Sequence, residues 1–136
     1  MNDYNRHVIE EFRANGGKVG GEWEDIPLLL LTTTGAKSGE RRTTPMAYLP
    51  NGDRLFVWAA NGGSPTHPHW YHNLVAHPHV TVEVGTETFE AIAVATEDVE
   101  RDRLWTQGVA LYPQLAEAQA KTTRQVPVIA LSRQAS

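Results

Sequence analysis

The chain contains no cysteine. That absence excludes disulfides, thiolate metal centres and cysteine nucleophiles together. It also lacks a long apolar run. The longest, residues 26–31, is interrupted by Pro27, whereas a membrane-spanning helix needs roughly 20 apolar residues. The opening MNDYNRHVIEEF lacks the basic start and apolar stretch of a secretory signal, so a cytoplasmic protein is expected. There is no Gly-x-Ser-x-Gly elbow and no GxxxxGK[ST] phosphate loop. Positive charge is in deficit, with a net charge of −4, so the broad basic face of a nucleic-acid binder is not expected.

What remains is a chain of 136 residues, expected to form one domain, 1–136, large enough to bury its own core. Residues 5–15 place Val8, Ile9 and Phe12 at helical spacing with charged residues between them. This predicts an amphipathic helix packed on the body rather than on lipid. Gly16 and Gly17 end it, and with Gly20 and Gly21 they make residues 1–21 a helix plus flexible connection. Strands are predicted at 28–33, 43–49, 54–60, 80–84, 88–95 and 126–131, the first three as an antiparallel meander turned at Asn51-Gly52-Asp53. Helices are predicted at 70–76, 97–108 and 114–122, with Val99, Leu104 and Trp105 of the second as its buried residues. Six strands without strict β-α alternation argue against a doubly wound sheet. They predict a mainly β, α+β fold, a small antiparallel barrel with short flanking helices.

Positive charge is local. Lys37, Arg41 and Arg42 fall in one glycine-punctuated segment, GAKSGERR, between two strands. Backbone N–H groups freed by glycine, with guanidinium and ammonium groups beside them, suit phosphate or carboxylate. A solvated turn explains the same residues equally well. Trp58-Ala59-Ala60-Asn61-Gly62-Gly63 offers small residues at a strand end, where a flat ligand can approach the backbone. An ordinary strand exit reads the same way. Five of the six histidines, His67, His69, His72, His77 and His79, crowd one segment. No Asp, Glu or Cys accompanies them, so a polar helix face is favoured over a zinc site. With no nucleophile or metal set in view, a cofactor must supply the reactivity.

The run Leu29-Leu30-Leu31-Thr32-Thr33-Thr34-Gly35-Ala36-Lys37-Ser38-Gly39, then Arg42 and Pro45, resembles the signature of the deazaflavin-dependent nitroreductase family. The likeness continues in Asn61-Gly62-Gly63, His67-Pro68-x-Trp70-Tyr71-x-Asn73-Leu74, His77-Pro78-x-Val80, Tyr112-Pro113 and Thr122-x-Arg124-x-x-Pro127-Val128. The resemblance implies a six-stranded split β-barrel of the FMN-binding kind. It implies coenzyme F(420) as cofactor, with FMN as the runner-up. By the same resemblance Ala36, Lys37, Ser38 and Arg42 match the loop that holds the coenzyme's phosphate and the start of its tail. Thr44, Pro45 and Met46 match the strand beside the ring, and Trp58, Ala59, Ala60 and Asn61 the strand end lining the same cavity. Trp70, Tyr71 and Asn73 match the helix that closes it, and Tyr112 is a candidate proton donor. No metal is implied.

The sequence departs from the pattern where Leu115 and Ala118 replace tyrosines on the substrate side. Asn61 stands where some relatives carry lysine. The resemblance suggests quinones or conjugated lactones and enones as acceptors, and Leu115 and Ala118 point away from bulky nitroimidazoles. They also give some force to an alternative, a deazaflavin or flavin carrier without turnover. The expected partners are a small acceptor and no nucleic acid, in a monomer or homodimer.

Overall fold

The computed structural model describes residues 3–134. The chain runs α1 (Asp3–Ala14), β1 (Leu28–Thr34), β2 (Arg41–Ala47), β3 (Leu49–Asn51), β4 (Arg54–Trp58), α2 (His69–Ala76), β5 (His79–Val84), β6 (Glu87–Ala95), α3 (Asp98–Leu111), α4 (Gln114–Ala120) and β7 (Val128–Arg133). All strands form one sheet in the order β2-β1-β5-β6-β7-β4-β3, antiparallel at every pairing. The sheet has seven strands, not six, because the second expected strand breaks at Tyr48. Its first half, β2, pairs with β1, and its second half, β3, pairs with β4. Tyr48 is the corner between them. Its N–H donates to Pro27 O (3.3 Å), and its carbonyl accepts from the Tyr112 hydroxyl (3.1 Å). Two opposite edges of the sheet are therefore joined by one residue, and the sheet curls round on itself.

The pattern of apolar residues follows from what covers each strand. Leu29, Leu31, Val57, Val80, Val82, Ala91, Ala93, Ile129 and Leu131 form the interior core, capped by Leu74 of α2. Leu28 and Leu30 point the other way, beneath Val8, Ile9 and Phe12 of α1. Phe56, Trp58, Val128 and Ala130 likewise face outward, under Leu104 of α3 and Leu115 of α4. Strands covered on both faces thus read as continuous apolar runs. β5 places polar residues outward, Thr81 and Glu83, and the latter is met by Arg13 of α1.

The connection after α1 is held at several points. Gly17 N–H donates to Phe12 O (2.8 Å), and its φ of +93° is open mainly to glycine. A Cβ there would lie 2.6 Å from Gly85 Cα in the β5–β6 turn. Arg13 pairs with Glu83 (2.8 Å). α3 runs past Gly108 to Leu111 because Tyr112-Pro113, not the glycine, is its stop. Gly108 is there because the Trp58 indole is: a Cβ would meet the ring at 2.6 Å. Val99 was expected to be buried but is 81% exposed. The inward stripe of α3 is Arg101, Leu104 and Gly108, at spacings of three and four, and Val99 lies off it. Among the described residues, no helix is long and apolar enough to cross a membrane.

Candidate cofactor site

Antiparallel pairing puts the β1–β2 loop, the end of β4, α2 and the approach to β7 at one mouth of the barrel. The loop closes on itself. Gly35 N–H donates to Glu40 O (2.7 Å), Gly39 N–H to Gly35 O (3.0 Å), and Glu40 N–H to Ser38 Oγ (3.2 Å). A Cβ on Gly35 would run into Ser38 Oγ, so a larger residue there would displace that hydroxyl from Glu40 N–H. Lys37 and Ser38 stand exposed at the tip.

Asn73, buried in α2, ties this loop to the barrel. Its Oδ1 accepts from Ala36 N–H (3.0 Å), and its Nδ2 donates to Thr33 Oγ1 (3.2 Å). Loop, strand and helix are therefore one hydrogen-bonded unit.

The basic residues separate by face. Arg42 lies opposite Thr33, Thr44 opposite Leu31 and Met46 opposite Leu29, so all three share the interior side. Arg42 makes only a loose, exposed pair with Glu40 (3.3 Å). Arg41 points outward instead, donating to Thr34 Oγ1 (3.0 Å) and to Thr81 Oγ1. Pro45, opposite Leu30, also faces outward, toward α1. Trp70 and Tyr71 pack half-buried against the interior core at this mouth, whereas Met46, opposite Leu29, packs half-buried against the same core toward the other end of the strand.

The end of β4 makes another wall. Ala59 is buried, Ala60 half-buried and Asn61 exposed. Asn61 has φ +50°, which asparagine tolerates better than most residues. Its Nδ2 donates to Thr66 O (3.0 Å). The Trp58 side chain lies on the outer side of β4, edge-on to Tyr112 with centroids 5.6 Å apart. Tyr112 is buried there too, and its hydroxyl proton is committed to Tyr48 O. Burial, with Tyr48 beside it, pushes its pKa above the usual tyrosine value. Leu115 and Ala118 pack in this outer region as well.

Arg124 and His67 were not among the expected site residues, yet they hold this wall in place. Arg124 Nη1 donates to Ala59 O (3.1 Å), Nη2 to Ala60 O (2.7 Å) and Nε to Ser64 O (3.0 Å). Nη1 also lies 3.0 Å from His67 Nδ1. The His67 ring leans on Tyr71, with centroids 4.5 Å apart and planes tilted by 42°. Burial, then Arg124 and His72, push its pKa below the usual histidine value. The signal in the sequence was an arginine with no acid near it, just before a buried strand. Among the described residues no three His, Asp or Glu side chains converge as a metal-ligand set.

The opposite mouth holds an open cavity of about 480 Å³ between Asp53, Leu55, Val84, Glu87, Phe89 and Arg133. Arg133 is already engaged there by Glu87 (3.0 Å) and by the Phe89 ring (4.5 Å). At the other end, the exposed Lys37 and Arg42 of the shaped loop and strand stand on the side where Trp70 and Tyr71 lie half-buried.

Fold and loop together define a small curled-barrel protein with a basic, glycine-shaped loop at one mouth. The chain belongs to the F(420)H(2)-dependent quinone reductase family, whose model matches residues 4–133. It is 37% identical over 129 residues to the F(420)H(2)-dependent quinone reductase Rv1261c of Mycobacterium tuberculosis, covering 90% of this chain and 85% of that one. A solved F(420)-H2 dependent reductase, FDR-A, superposes with TM-score 0.72 at 39% identity, over 78% of this chain and 94% of that one. A structure described as a domain-swapped dimer superposes with TM-score 0.75 at 37% identity, over 96% and 98% of the two chains.

Proposed function

We propose that this protein binds reduced coenzyme F(420) on a split β-barrel and passes its hydride to a quinone or a similarly electron-poor carbonyl compound. The observation that carries the reading is the loop 35–40 with Arg42. Lys37, Ser38 and Arg42 supply donors at one mouth, and the one carboxylate close by, Glu40, is exposed and loosely held. This donor set fits a phosphate and a carboxylate tail.

Trp70 and Tyr71 then offer an apolar face for the ring system, and Ala59 and Ala60 allow close approach to backbone. When bound, the coenzyme supplies the hydride. The chain's own task is to hold the ring and acceptor in register and keep water from between them. Asn73 couples the two halves of that task, since it shapes the anion loop from the helix that borders the ring site. Membership of the family and the identity to Rv1261c support the same reading. The homodimer belongs to this proposal through the domain-swapped relative.

The test is a fluorescence titration of the protein with oxidised coenzyme F(420), with FMN alongside, followed by oxidation of the reduced coenzyme with a panel of quinones. Preferred binding of the deazaflavin and quinone-dependent oxidation are expected. Preference for FMN moves the protein to the flavin branch. Binding without oxidation by any acceptor makes it a carrier.

A further inference from the structure

Arg124 has no carboxylate partner among the described residues. Its contacts are three carbonyls and one imidazole nitrogen. Four donor contacts hold the guanidinium plane in one orientation, and that plane in turn fixes the backbone from Ala59 to Ser64. Gly63 sits inside this turn with φ +84°. A Cβ on it would lie 2.7 Å from Ala118 O, so the wall is pressed against α4 from behind.

The contact to His67 has a chemical consequence. A guanidinium keeps its protons and has nothing to accept with. Nδ1 of His67 must therefore carry the lone pair, and the neutral ring bears its hydrogen on Nε2. Protonating Nδ1 would set two donors face to face beside a fixed cation. The groups that face the ring are Arg124, from the segment before β7, and Tyr71 and His72, from α2. None of them is an acid that would favour imidazolium.

We propose that Arg124 is a positioning residue of the reductase site, locking His67 as a neutral Nε2–H hydrogen-bond donor for the oxygen of the carbonyl acceptor. This rests on the function proposed above. As hydride arrives, negative charge develops on that oxygen, and a pre-aimed neutral donor stabilises it. His67 keeps its own proton throughout. The quinone takes up one hydride and one proton, and the reduced coenzyme gives up one of each, so no further reductant is needed. Below the usual histidine range the ring becomes protonated, the contact to Arg124 turns repulsive, and the donor loses its aim.

The experiment combines nitrogen NMR of the histidines in the full chain with kinetics of R124K, H67Q and H67F. In the unliganded wild type, His67 is expected as the single Nε2–H tautomer, titrating below about 6.5. R124K should mix the tautomers. H67F should lower kcat about tenfold or more with little change in coenzyme binding. H67Q, which can both accept from Arg124 and donate onward, should recover most of the loss. An Nδ1–H tautomer or ordinary titration overturns the lock, and wild-type kcat in H67F overturns the role at the acceptor. The NMR readout and the His67 variants decide even if R124K does not fold. A wild type that does not oxidise the reduced coenzyme sinks the proposed function itself, a result distinct from turnover that H67F leaves intact.

Discussion

At the scale of single residues, neighbouring arginines differ because a strand alternates its faces. Arg41 and Arg42 are adjacent, yet one is bonded across the outer sheet surface and the other faces the mouth. Replacing Lys37 and Arg42 together with alanine should weaken coenzyme binding by about tenfold for each residue, since charge-assisted hydrogen bonds are the strong ones. The loss should shrink at high salt because both groups are exposed. A titration at two ionic strengths checks this, and thermal unfolding should be unchanged. Tyr112 calls for the opposite pattern. Y112F removes the hydroxyl bonded to the corner carbonyl of Tyr48 and should cost about 1–3 kcal/mol of stability, read by denaturant unfolding. With the hydroxyl committed to that bond, kcat should hold. A large fall in kcat with stability intact would restore Tyr112 as the proton donor.

At the scale of elements, Asn73 joins α2, β1 and the anion loop, so its removal should be felt at a distance. N73A leaves Ala36 N–H and Thr33 Oγ1 without their partner and should cost about 1–3 kcal/mol. It should also weaken coenzyme binding, because the loop loses its tether to α2. Unfolding and titration of the same sample test both effects. If affinity is kept, the loop holds its shape alone. Asn73 also shows how far the sequence could be read. Position in the closing helix was legible from the motif around Trp70 and Tyr71. Its use, with both amide atoms taken by the protein's own groups, depends on a fold that brings residues 33, 36 and 73 together. The extra break at Tyr48 was hidden for a similar reason. A continuous apolar run does not record which edge of a sheet each half will join. Val99 was misread because α3 buries Arg101 instead, with its guanidinium bonded to Val126 O (2.6 Å) and lying over Trp105 (5.0 Å).

At the scale of the whole molecule, the barrel has two unlike mouths. The one with the shaped loop and aromatic wall carries the proposed chemistry. The far one is an open cavity whose arginine is already matched by an acid and a ring. R133A should therefore leave coenzyme affinity and quinone reduction unchanged, and a loss of either would mean that the far mouth takes part. Most of the architecture was legible, because covered strands read as apolar runs and uncovered ones as alternation. The role of Arg124 was not, since its place in the motif does not record that the guanidinium cages the carbonyls of Ala59, Ala60 and Ser64.

The sheet order also sets a sequence of assembly. β7 lies between β6 and β4, so it works as a keystone, and it is the last strand of the described chain to be synthesised. Until residues 128–133 emerge from the ribosome, the nascent chain is an open ribbon with two unsatisfied edges. Such edges are the hazard that natural sheets guard against.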